Sequence, residues 1–288
     1  MKVRRFKNNP IIYPNMDDRM GDNINGPSLI RAPEWIQNPL GKYYLYFAHH
    51  QGTYIRLAFA DKLEGPWRLH GLGVLNLADS FFNNHIASPD VHVLDDLHEI
   101  RMYYHGCCQS EPPHQFTRLA TSQDGLNFTA HSSILGAFYW RAFYWQGYWY
   151  TLEMPGTFRR SLTGISDFEE GPKLFNIHMR HSAVQIKNEL LTVFYSHAYD
   201  APERILQASI HLDSNWLKWK TSEPSTLLTA EMEYEGVNCP VQRSERGSVH
   251  HLVHQLRDPC IFEEEEKTYL LYSVAGEHGI AIGELTDK

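Results

Sequence analysis

No stretch of the 288 residues approaches the ~20 consecutive apolar residues that a membrane-spanning helix needs. The opening MKVRRFKNNPII is charged but lacks the apolar core of a secretory signal. The expectation is a cytoplasmic protein with no membrane partner. Cysteine is scarce: there are four, including the vicinal pair Cys107-Cys108, and none has CxxC spacing. That excludes a zinc ribbon and a disulfide framework, and it points to reduced thiols. Positive charge is thin as well. The formal net charge is −8, and basic residues come in runs of two or three at most. Nucleic acid, whose phosphates demand clustered Lys and Arg, is therefore not the expected partner. A GxSxG elbow, a P-loop and a GxGxxG turn are all missing, and no segment has the sustained apolar spacing of a long amphipathic helix.

What is present is a unit repeated five times, each with the β-branched and aromatic bias of strands. GPSLIRA (26–32), KYYLYFAHH (42–50) and YIRLAFADKLEGPW (54–67) form the first. SPDVHVL (88–94), IRMYYHG (100–106) and FTRLATSQDGLNFT (116–129) form the second. The third is WRAFYWQGYWYTLE (140–153), turning at Gln146-Gly147, followed by FRRSLTGISDFEEG (158–171). RHSAVQI (180–186), LLTVFYSHAY (190–199) and ERILQASIHLDSNWLKW (203–219) form the fourth; RDPCIFEE (257–264), KTYLLYSVA (267–275) and GIAIGELTDK (279–288) form the fifth. A period of this kind predicts an all-β, five-bladed propeller filling 1–288 as one domain, with blades near 26–80, 88–135, 140–176, 180–230 and 257–288. The fifth unit stops after its third strand, so the unpaired segment 3–14 is expected to close the last blade and remove an exposed edge. A β-sandwich of the same strands is the competing arrangement, and the matched three-strand grammar argues against it. Segment 220–256 reads as a loop or blade-edge insertion of the kind that carries function.

In a propeller the openings of the inner strands and the ends of the returning strands meet at one mouth. Here those places hold Asn25, Asp90, Arg141, Arg180 with His181, and Arg257 with Asp258. The returning set is His49 with His50, His105, Glu153, His197, and Glu277 with His278. The four acid/base candidates are Asp90, Asp258, Glu153 and His181. Glu153, between Leu152 and Met154, has an apolar setting suited to a proton donor, though burial against Arg159 or Arg160 is an equal reading. His181 serves acid/base chemistry, ligand binding or the core equally well. Trp140 is the aromatic chosen to face a sugar ring; its neighbours read as inter-blade core. His250, His251 and His254 in SVHHLVHQL lack the Glu and helix of a zinc protease and read as a solvated or mouth-facing strand. No metal is assigned.

SPDV after a long loop, RDP opening a strand that runs on to YLLYS, and third strands LAFADKLEGPW and LATSQDGLNF together resemble the five-bladed propeller glycoside hydrolases of families 43, 62, 32, 68 and 117. The family 130 phosphorylases are a more distant likeness. The resemblance implies a glycosidase cleaving a small oligosaccharide or glycoside in a central funnel, with an Asp base on the first blade, an orienting Asp on the second and a Glu acid on the third. Asp90 falls in the second place. The first blade has Asn25-Gly26-Pro27 where Asp-Pro belongs, and the third opens on Trp140-Arg141. Asp22 and Glu153 are the substitutes the sequence offers, or His181 if the acid is a His as in family 117. Arg141 and Arg180 suit anion recognition, as phosphate in a family 130-like phosphorolysis or as the carboxylate of an acidic sugar. A noncatalytic carbohydrate-binding propeller is the alternative of another class. No cofactor is required, and the resemblance allows a cation in the channel.

Overall fold

The computed structural model describes residues 1–108 and 114–286. Asp287 and Lys288, counted in the fifth unit above, lie outside the described residues. Five antiparallel sheets follow one another along the chain. The first blade is β2 (Asn25–Arg31), β3 (Tyr43–Ala48), β4 (Tyr54–Ala60) and β5 (Arg68–Asn76), after an N-terminal β1 (Lys2–Arg5). The second is β6 (Ile86–Leu94), β7 (Glu99–Cys108) and β8 (His114–Ser122), with the short β9 (Thr129–Ala130) and β10 (Gly136–Ala137) both paired to β8. β11 (Arg141–Trp145), β12 (Tyr148–Glu153), β13 (Thr157–Ser161) and β14 (Glu169–Lys173) make the third. β15 (Met179–Lys187), β16 (Leu190–His197), β17 (Ile205–His211) and β18 (Ser225–Leu228) make the fourth, and β19 (Arg257–Glu264), β20 (Lys267–Ser273) and β21 (Ile280–Thr286) the fifth. Short 3₁₀ turns are the only helical elements among the described residues.

The fifth blade takes its outer strand from the N-terminus, as expected. β1 pairs antiparallel with β21, Lys2 opposite Thr286 and Arg5 opposite Gly283. The paired stretch is shorter than the predicted 3–14; beyond it Ile12 makes an isolated bridge to Ile280. Arg5 fastens the closure by reaching Glu235 and the Thr229 carbonyl. The five blades pack through five apolar clusters, each shared by neighbours in the ring. Tyr43, Leu45 and Phe47 meet Leu271 and Ile282 between blades five and one. Tyr44, Tyr46, Met102 and Tyr104 join blades one and two, and Tyr103, Leu119, Trp140 and Ala142 join two and three. Tyr150 and Phe158 meet Val193 and Trp219 between three and four, and Phe194, Leu270 and Tyr272 lie between four and five. At roughly 1.5–3 kcal/mol for each fully buried large apolar side chain, these seams dominate the stability of the ring.

Two segments differ from expectation. Part of 220–256 is the fourth strand of blade four, β18, and only the remainder is irregular. SVHHLVHQL contains no strand; His250 and His251 are exposed and His254 is half-buried in loop. Pairing partners had no signal there, because the segment has the apolar content of a strand without its alternation.

Candidate active site

One backbone feature recurs in all five inner strands. Gly26, Ser88, Tyr139, His181 and Asp258 have left-handed φ of 60°, 46°, 58°, 50° and 48°. In blades one, two, four and five the register of the inner pair slips at this point; in blade three Tyr139 lies two residues before β11 starts. A bulge re-aims a side chain out of the strand's alternation. For a residue other than Gly the conformation costs roughly 1–3 kcal/mol and is kept where function requires it. Here it turns Ser88, Tyr139, His181 and Asp258 into one cavity of about 210 Å³. At the fifth place a Cβ on Gly26 would sit 3.0 Å from Ser88 Cα, so only glycine lets blade one approach blade two. Neighbouring Asn25 lines the cavity instead.

The remaining walls are His50, Ala87, His105, Gln115, Phe138, Met154, Arg180, Arg246 and Gly247. Asp258 is the one carboxyl in this lining among the described residues. Its Oδ1 accepts a hydrogen bond from the Tyr139 hydroxyl at 2.9 Å, and His181 Nδ1 is 3.6 Å from the same oxygen. Oδ2 has no hydrogen-bond partner among the described residues. Burial, then the charge of Glu277, raises the Asp258 pKa to about 6 against the pull of Tyr139, Arg180 and Arg257. Burial also drives His105 and His181 well below the ordinary imidazole range, so both are neutral.

Below the cavity runs a chain of buried ions. His50 Nδ1 lies 3.2 Å from Glu277 Oε1, and because a carboxylate only accepts, that nitrogen carries the proton. Glu277 also pairs with Arg257 at 3.1 Å, Arg257 with Glu203 at 3.3 Å, and Glu203 with Arg180 at 3.1 Å. Burial alone would raise Glu277; the bond and charge of His50, then Arg257 and the Asn23 amide, hold its pKa at about 2.

Of the residues singled out from sequence, Asn25, His50, His105, Arg180, His181 and Asp258 line the cavity. The others do not. Asp90 lies two residues past the bulge and ties blade two to blade three: Oδ2 accepts from Ala142 N at 2.7 Å and from His92 Nε2 at 2.8 Å. Glu153 spends Oε2 on Ala137 N, Trp140 Nε1 and Arg159 Nε. Trp140 is buried core against Tyr103 and Phe168. Arg141 stacks behind Tyr139 and donates to the Trp140 carbonyl. Arg257 and Glu277 are fully buried beneath the cavity. His197 packs on Tyr195. His49, His278 and Asp22 lie at the rim by the 250 loop.

Asp22, His49 and His250 each bring one ligand atom within 4.8 Å of the others. His49 Nδ1, however, accepts the Gln51 N–H, which leaves the ring proton on Nε2. As arranged, that ring has no free lone pair for an ion. Sequence reasoning missed Ser88, Gln115, Arg246 and the pairing role of Glu203, and it assigned Tyr139 to the core.

No family model matches the chain. It is 32% identical over 316 residues to the uncharacterized protein R118 of Acanthamoeba polyphaga mimivirus, covering 97% of this chain and 89% of that one. The chain belongs to the family of that viral protein. Among solved structures it is similar to RS223 β-xylosidase, with a TM-score of 0.63 at 14% identity, covering 96% of this chain and 95% of that one. CoXyl43, a GH43 β-xylosidase/α-arabinofuranosidase from a compost microbial metagenome, gives 0.64 at 13% over 99% and 96%. The α-L-arabinofuranosidase of Lactobacillus brevis gives 0.60 at 13% over 97% and 93%. At such identities the shared property is the fold, the five-bladed propeller of the family 43 glycoside hydrolases.

Proposed function

We propose that the cavity is the active site of a glycosidase that cleaves a terminal residue from a small oligosaccharide or glycoside. The observation that carries this is Asp258, a buried carboxyl with a pKa of about 6, set on a strained backbone position among neutral imidazoles and hydroxyls. A carboxyl of that kind holds its proton up to about pH 6, well beyond an ordinary aspartate, and delivers it to the departing glycosidic oxygen. It replaces Glu153, whose oxygen is already committed, and His181, whose neutral ring has no acidic proton to give.

His50 is the partner base. Glu277 accepts its Nδ1–H, so in the neutral form of the ring the lone pair lies on Nε2, and His50 lines the cavity. A water bound against Nε2 loses its proton there as it attacks the anomeric carbon, the carboxylate–histidine arrangement of general-base catalysis. His105, His181, Asn25, Ser88 and Gln115 supply hydrogen bonds to sugar hydroxyls, with Phe138 and Met154 as apolar surface. The cavity is smaller than the roughly 300–1,000 Å³ of pockets for drug-sized ligands, which favours a single sugar ring. These groups need no cofactor. A cytoplasmic setting belongs to the same reading, supported by four free cysteines. The test is a panel of 4-nitrophenyl glycosides and short oligosaccharides, with products analysed in the presence and absence of phosphate. Release of a free sugar without phosphate supports hydrolysis; sugar binding with no turnover on any member defeats it.

A further inference from the structure

The charges around the cavity do not balance on its open side. Beneath it, Arg180 and Arg257 are matched by Glu203 and Glu277, and Arg141 lies 3.9 Å from Asp90. Arg246 has no such match: among the described residues it pairs with no carboxylate, and its guanidinium donates only to the Ile177 carbonyl. It is exposed, yet it lines the cavity. Its place there is built. The Arg180 guanidinium donates to the Glu245 carbonyl at 2.9 Å and Arg257 to the Gly247 carbonyl at 3.3 Å. Two buried arginines thus hold the loop that carries Arg246 over the opening. Arg180 itself is 2% exposed, lines the same cavity, and has an Nη2 with no hydrogen-bond partner among the described residues. Unpaired buried donors of this kind are rare in finished structures and mark a missing acceptor.

We propose that the sugar taken by this cavity carries an oxyanion, a carboxylate, which sits against Arg246 and Arg180. The proposal rests on the cavity being the sugar site. Among the described residues two guanidinium groups face a single carboxyl in the lining, and planar guanidinium forks match a carboxylate better than they match hydroxyls. The protein's net charge of −8 makes this patch an exception to its surroundings. An anion is selected here by local contacts, against the long-range field.

Binding, read by titration calorimetry on the full chain, tests this separately from turnover. The probes are methyl glucuronide and methyl galacturonide, their neutral methyl glucoside and galactoside counterparts, and inorganic phosphate alone. The expected result is about tenfold or greater preference for at least one uronide over its neutral counterpart, the scale of one charge-assisted hydrogen-bond pair. Arg246→Ala, an exposed substitution, should abolish the preference while the thermal midpoint is kept, and Arg246→Lys should restore part of it. Equal binding of charged and neutral glycosides, binding of neither, or a preference that survives Arg246→Ala overturns the proposal. Phosphate that binds saturably and strengthens neutral glycoside binding also overturns it, because the oxyanion is then a separate co-substrate. If Asp258→Asn lacks turnover but keeps the uronide preference, the subsite stands independently of the catalytic assignment. If the uronide preference holds but no member of the glycoside panel turns over, the glycosidase reading fails and the anion site remains.

Discussion

Tyr139 donates its hydroxyl proton to Asp258 Oδ1 across 2.9 Å, although the two residues belong to blades three and five, which are not neighbours in the ring. The bond crosses the channel. Both ends sit on left-handed residues, so the five-fold backbone feature brings an acid and the donor that tunes it into contact. This has a consequence for pH dependence. The hydrogen bond favours the carboxylate, so it lowers the Asp258 pKa from what burial alone would set. Tyr139→Phe should raise that pKa, and the alkaline limb of the kcat profile, expected near pH 6 in the parent, should move to higher pH. A limb that stays in place or moves toward acid contradicts the role given to Tyr139.

His50 offers a second check. As the base that takes the water proton, its removal in His50→Ala should cost on the order of a hundredfold or more in kcat. Added imidazole should restore part of the rate if the lost group acted on water, and a merely structural histidine would give no rescue. The neighbouring His49 faces the rim, and His49→Ala should leave kcat within about twofold, the spread of an ordinary surface change.

The charge on Asp258 should also be visible in stability. Its folded pKa of about 6 lies above the ordinary aspartate value of 3.8, so the folded protein holds a proton that the unfolded chain releases between those values. The cost of burying the carboxylate is therefore present in full above about pH 6, up to about 3 kcal/mol, and vanishes below about pH 4. Asp258→Asn removes that cost. Thermal unfolding should show the variant melting above the parent at about pH 8, with the gap closing toward about pH 4. A gap that widens toward acid would reverse the sign of the argument.

Closure of the ring is tested at Arg5. Glu235 is fully buried and takes Arg5 Nε at 2.7 Å together with the Tyr272 hydroxyl. Arg5→Ala strands that carboxylate and should cost about 3–5 kcal/mol, the penalty for an uncompensated buried charge. Deleting residues 1–14 removes the same anchor with the whole outer strand and should lower the melting temperature at least as far. Unchanged melting in both proteins would mean that β1 is ornamental.

Blade count, strand order and closure by the N-terminus were all legible, because the pattern that specifies them is local and repeats. Asp258, His181, Arg180, His105, His50 and Asn25 were singled out by the same route, from their place at strand ends, and they line the cavity. The failures have two physical causes. Asp90 stands beside a bulge that sequence alone does not reveal; two residues past the turned position, its side chain leaves the channel and joins blades two and three. His49 and His50 were offered together and only His50 lines the cavity, because a one-residue difference is enough to exchange inside for outside. Arg246 was invisible for another reason. Its position depends on long-range bonds from Arg180 and Arg257 to loop carbonyls, which leave no trace in spacing.

The central claim is that Asp258 is the proton donor of a glycosidase, and kcat/KM of Asp258→Asn on whichever panel glycoside the parent cleaves tests it most directly. Asparagine keeps the acceptor for Tyr139 and removes the acidic proton. The account predicts a loss of roughly a hundredfold or more, in a protein that remains folded and whose residual rate no longer falls through an alkaline limb near pH 6. A variant that retains the parent's rate and the parent's pH profile would contradict it.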